Sequence, residues 1–177
     1  MVFDSRNRTE FFVNGDVTPI ETDLMVLLLA LVIGSIAGLR TMTAPAAMSW
    51  AASLGYLDFG GGWLAFMGYP LTPWILSVLA LGEFVTDQLP STPSRKVPVQ
   101  FGARLVSGAL SGSMVGGDGG SLLGGVLAGL IGAVIGTLGG AALRSRIATA
   151  LGSDLPAALI EDAIAIIGAI AVVLVLR

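Results

Sequence analysis

The sequence predicts an all-α bundle of membrane-crossing helices, and three observations carry that reading. Only 12% of its 177 residues are charged, against about 25% in a soluble domain. Hydrophobic residues make up 54%, with a mean hydropathy of +0.87. Its 25 glycines cluster in the most apolar stretches, where they recur at a spacing of four. A chain so poor in charge cannot cover a globular surface with polar groups, and its hydrophobicity excludes disorder. The bilayer is the remaining solvent and the expected partner.

Cysteine and histidine are both absent. That removes disulfides, thiolate nucleophiles and Cys/His metal sites. No metal, cofactor or catalytic residue is expected, and no enzyme. A net charge of −3 and a pI near 4.7 argue against a nucleic acid partner.

Residues 1–23 form the one clearly water-soluble stretch, an extramembrane tail carrying Asp4, Arg6, Arg8, Glu10, Asp16, Glu21 and Asp23. Acids outnumber bases ahead of the apolar run, so it does not read as a signal peptide. The membrane domain is expected over 24–177. Its first apolar stretch runs over 24–54. An unbroken helix there would be ~46 Å long at ~1.5 Å per residue, against a ~30 Å hydrocarbon core. Gly34, Gly38, Arg40, Thr41, Thr43 and Pro45 mark the place where it should bend or break. A loop follows over 56–62, and Trp63, Tyr69 and Trp74 read as interfacial anchors. The second span is expected over 74–89 and the third over 99–116. Gly116 to Gly120 reads as a tight loop before a charge-free fourth span over 121–143. Arg144, Arg146 and Asp154 are expected in the next loop, with Asp154 as N-cap and Pro156 in the first turn of a fifth span ending near Leu176.

Arginine and lysine alternate between loops in this scheme. Arg6 and Arg8, then Arg95, Lys96 and Arg104, then Arg144 and Arg146 fall on one side. The positive-inside rule therefore predicts five crossings of a cell membrane, with a cytoplasmic N-terminus and an outer C-terminus, over a four-span alternative with 99–116 re-entrant that would put Arg95 and Arg144 on opposite sides.

Gly116, Gly120, Gly124, Ala128, Gly132, Gly136 and Gly140 share one helix face. Gly125, Gly129, Ala133 and Thr137 run beside them. Gly108 and Gly112 extend the pattern into the third segment, flanked by Ser107 and Ser111. In lipid, such a small-residue stripe allows close backbone packing. A homo-oligomer or a larger membrane complex could use it, as could helices within one chain. A ligand-facing groove is the other reading.

Ionisable residues within apolar spans are functional-site candidates by default. Glu83 and Asp87 lie four apart on one face. Arg104 opens the third segment, and Glu161 and Asp162 lie about two turns into the last. Glu83, Glu161 and Arg104 are expected in one polar cluster. It could be a salt-bridge network or a site for a proton, a cation or an anionic substrate. Arg40 is expected farther out, snorkelling, unless the broken first span re-enters the membrane.

Several of these residues form a pattern. Gly38-Leu39-Arg40 with Pro45, Glu83 to Pro90, Arg104 with Gly108-Ala109-Leu110, Leu143-Arg144 and Glu161-Asp162 resemble the membrane family called domain of unknown function 4126, over roughly 24–175. The family pattern has proline after the third-segment arginine, where this chain has Leu105. The resemblance implies that the charged positions belong to a shared design. Two functions follow as expectations. One is a small permease or channel-like transporter of an ion or small solute that uses buried carboxylates, with Arg40, Glu83, Asp87, Arg104, Glu161 and Asp162 as the pathway candidates. The other is a non-transporting assembly subunit held by its glycine faces.

Overall fold

The computed structural model describes residues 19–87 and 97–177; residues 1–18 and 88–96, and the expectations that fall on them, lie outside the described residues. The described chain is helical throughout: α1 (Pro19–Leu39), α2 (Thr43–Ser53), a 3-10 turn (Trp63–Gly68), α3 (Thr72–Thr86), α4 (Pro98–Asp118), α5 (Leu122–Leu151) and α6 (Asp154–Leu176).

The first apolar stretch does break. α1 closes at Leu39, three residues intervene, and α2 starts at Thr43. Pro45 sits in the first turn of α2, where the missing N–H would have no intrahelical partner anyway. α2 does not carry the chain onward. Ser107 Oγ donates to the Thr41 carbonyl, and the Asp58 amide donates to Asp118 Oδ1 at 2.8 Å. Residues 41–58 therefore descend alongside 107–118, back the way α1 came. α2 is lined with buried small residues, and Met48 is fully buried among them.

Among the described residues, three helices are long and apolar enough to cross a membrane: α1 over Ile20–Leu39, α5 and α6. The five spans expected from sequence are thus reduced to three by length and composition. α3, at 15 residues, is only ~22 Å long. α4 is long enough but carries Gln100, Arg104, Ser107, Ser111 and Ser113. It lies inside the bundle, with Arg104 and all three serines buried. Two expected loops are helical instead. α4 runs on to Asp118, and α5 continues through Arg144 and Arg146 to Leu151. Gly152, at φ 68°, then ends α5 in the left-handed conformation that glycine supplies without a Cβ penalty. Asp154 opens α6 behind the extended Ser153.

Backbones approach closely at the glycines. A Cβ built on Gly132 would lie 2.1 Å from the Leu31 carbonyl oxygen, and one on Gly136 would lie 2.0 Å from that of Ser35. These face α1. The neighbouring row faces α4: a Cβ on Gly125 would meet Gly112 O at 2.3 Å, and one on Gly129 would meet Gly108 O at 2.2 Å. α1 and α5 therefore run parallel, with α4 antiparallel to both. Gly120 departs from the expected row. It sits at φ 83° in the α4–α5 turn with open space beside it. Gly124 meets Ser121 Oγ and Leu27 rather than a facing backbone. Gly140 is buried near Leu39.

α6 runs against α1, since Asp162 meets Arg40 and Gly168 meets Ile36. The start of α1 and the end of α6 therefore point to the same end of the bundle, beside Gly119, which packs on Val26. The turn-back at residues 40–42 adds a reversal to the path.

Two predictions follow from this packing. Gly132→Ala or Gly136→Ala should lower the detergent melting temperature, since overpacking costs ~1–3 kcal/mol. Gly139→Ala meets nothing within 4 Å and should leave it unchanged or slightly raised. In sealed vesicles, single cysteines at Ile20, Gly119 and Arg177 should react with an impermeant maleimide from one side, and one at Ser153 from the other. Labelling of Ile20 and Gly119 from opposite sides would contradict the path described.

Candidate functional site

A helix end leaves backbone groups without intrahelical partners. At residues 38–42 two such ends meet inside the bundle, where water cannot serve them. Charged side chains from other helices do so instead. At the closing end of α1, Arg104 Nη1 donates to the carbonyls of Gly38 at 2.8 Å and Leu39 at 2.6 Å. Thr137 Oγ1 also donates to Gly38 O, at 3.2 Å. At the opening end of α2, the amides of Thr41 and Met42 donate to the two oxygens of Glu83, at 2.7 and 2.8 Å. An acid thus stands at a helix N-terminus and an arginine at a C-terminus, each matching the helix dipole.

Arg40 lies between these ends, at 0% exposure. The expectation that it snorkels outward is overturned, because the chain reverses here and turns the side chain into the bundle. Arg40 Nε donates to Asp162 Oδ1 at 2.6 Å. Its Nη2 pairs with the same oxygen, and its Nη1 with Asp87 Oδ2. Phe84 covers it, with the ring centroid 5.5 Å from the guanidinium carbon, within cation–π range. Arg104 Nη2 lies 3.8 Å from Glu83 and 3.7 Å from Asp87.

Glu161 forms a second pairing one layer away. Its Oε2 is 3.5 Å from Arg144 Nη1, while Arg144 grips Asp154 through Nε at 3.0 Å and Nη2 at 2.6 Å. Asp154 therefore binds an arginine, and the N-cap position that the sequence assigns to it is taken by Ser153. A cavity of about 30 Å³ lies here between Leu39, Gly140, Arg144 and Glu161.

The structure thus brings Arg40, Glu83, Asp87, Arg104 and Asp162 together directly, and pairs Glu161 with Arg144. Among the described residues no group of three or more acids is arranged to hold a metal ion. Sequence reasoning left out Arg144, although it continues the row Gly132, Gly136, Gly140 by one more step of four. Ser107, Thr137 and Phe84 were left out of the site as well. No signal short of the reversal at 40–42 marks them.

Searches against family models, curated proteins and solved structures matched nothing.

Arg40→Leu should cost ~3–5 kcal/mol, because it strands the buried Asp162 and the half-buried Asp87. Thermal or denaturant unfolding in detergent measures this. Arg146→Leu, on an exposed side chain, should stay within ~0.5 kcal/mol.

Proposed function

We propose that this chain is a small membrane transporter whose broken first helix forms an ion-coupled site. A single observation supports it most. α1 and α2 present opposed helix ends inside the bundle, and little-exposed carboxylates and arginines from α3, α4 and α6 meet there. Discontinuous helices with charged partners are a recurring way to bind ions and anionic groups near the membrane midplane. Assembly as a homo-oligomer would help an 18.0 kDa chain enclose a pathway. The charged residues at the break are the same ones that carry the resemblance to domain of unknown function 4126, and we propose membership in that family with them.

One observation favours the second reading, a structural subunit: the paired arginines and acids already satisfy the break. Flux separates the two. Purified protein in vesicles loaded with a pH-sensitive dye should dissipate an imposed proton gradient faster than empty vesicles. Arg40→Lys should reduce that rate at least severalfold, because an ammonium cannot bridge two carboxylates and stack on Phe84 as a guanidinium does. Rates equal to those of empty vesicles for protons, sodium, potassium and chloride alike would leave the structural reading standing.

A further inference from the structure

At the end of the bundle where α1 starts and α6 ends, the connection between α2 and α3 folds into an open cup. Its volume is about 170 Å³, against about 30 Å³ for the cavity beside Arg144. The cup lies roughly one α2 length from the helix break, ~16 Å for 11 residues. It shares no residue with the charged site there.

Three of its lining residues carry the chemistry: Asp58, Phe59 and Tyr69. Asp58 is held at two points. Its amide donates to Asp118 Oδ1 at 2.8 Å, and its own Oδ1 accepts from the Gly60 amide at 2.9 Å. Among the described residues its carboxylate meets no arginine or lysine, and Oδ2 accepts no hydrogen bond. Gly60 and Gly61 line the cup as well, at φ 54° and 78°. Their left-handed backbone, which a side chain would strain, wraps the loop around the Asp58 carboxylate.

An unpaired carboxylate between two aromatic residues selects among ligands. An anion is repelled by Asp58 and by Asp118 behind it. A calcium or magnesium ion needs six or more oxygen ligands, and the cup offers one carboxylate. A neutral apolar molecule would take that carboxylate out of water with no charge to compensate it. A quaternary ammonium group meets both demands. Its positive charge faces Asp58, and its methyl groups suit the rings of Phe59 and Tyr69, whose faces attract cations.

We propose that this cup binds a quaternary ammonium group of the choline type, with Asp58 as counter-ion and Phe59 and Tyr69 as its aromatic walls. The site is independent of the ion-coupled reading of the break. Trp63, Phe66 and Trp74 lie on the same connection and are exposed, as aromatic residues at the level of lipid headgroups are. The ammonium group therefore belongs either to a phospholipid headgroup or to a free solute arriving at that surface.

Equilibrium binding of radiolabelled tetramethylammonium to the whole protein in a maltoside detergent tests this. Saturable binding is expected, displaced by choline and not by an equal concentration of sodium. Asp58→Asn and Tyr69→Ala should each weaken it at least tenfold, while Trp63→Ala should retain it. The measurement on the native chain needs no variant, and the Tyr69 side chain is 62% exposed, so misfolding does not decide the outcome. Native mass spectrometry of protein taken from vesicles of mixed phosphatidylcholine and phosphatidylglycerol separates the two sources. Retention of phosphatidylcholine that is lost in Asp58→Asn identifies the lipid headgroup. Tetramethylammonium binding without lipid retention identifies a free solute. Neither binding nor retention in the native chain, or binding that survives both Asp58→Asn and Tyr69→Ala, would overturn the proposal.

Discussion

The interruption of the first helix at residues 40–42 is the constraint around which the rest of the bundle is arranged. Ending one helix and starting another away from water leaves the carbonyls of Gly38 and Leu39 and the amides of Thr41 and Met42 in need of partners. Each such group left unsatisfied would cost ~1–3 kcal/mol. Four of the six helices supply a polar side chain at this level: Glu83 from α3, Arg104 and Ser107 from α4, Thr137 from α5 and Asp162 from α6. The charges that bind the break also repel or attract one another, so the site is at once structural and electrostatically poised.

Close backbone approach allows these side chains to converge. Gly34 and Gly38 on α1, Gly108 and Gly112 on α4, and Gly125, Gly129, Gly132 and Gly136 on α5 each stand where a Cβ would collide with a neighbouring backbone. Arg104 can reach the end of α1 only because α4 and α1 both lie tight against α5. α3 is held differently. Trp50 and Trp74 meet edge to face at 5.1 Å, and Trp50 Nε1 donates to Ser77 Oγ at 3.1 Å. These contacts tie α3 to α2, while its carboxylates grip the break. Movement of α2 and α3 as a pair would therefore strain the charged contacts before the glycine-packed helices.

Much of this was legible in the sequence, for physical reasons. Helical character and membrane compatibility follow from composition, and the break follows from Gly38, Arg40 and Pro45 in a stretch too long for one crossing. The proximity of Glu83, Asp87 and Arg104 follows from the cost of leaving each alone in apolar surroundings. The direction of the chain after the break was not legible. Nothing in residues 40–45 distinguishes a kink from a reversal, and that one choice decides whether Arg40 points outward or inward. It also decides which way α2 and α3 run beside the longer helices. The helical extension of α5 through Arg144 was hidden for another reason: an arginine following an apolar run marks a membrane boundary equally well whether the helix stops or continues.

The claim that Glu83 closes the helix break is tested most directly by amide hydrogen exchange at Thr41 and Met42 in the protein in detergent or lipid. Both amides should be protected in the native chain. In Glu83→Ala they should exchange at least tenfold faster while the amides of α5 keep their protection. Rapid exchange at both positions in the native chain, or protection that survives Glu83→Ala, would contradict the assignment.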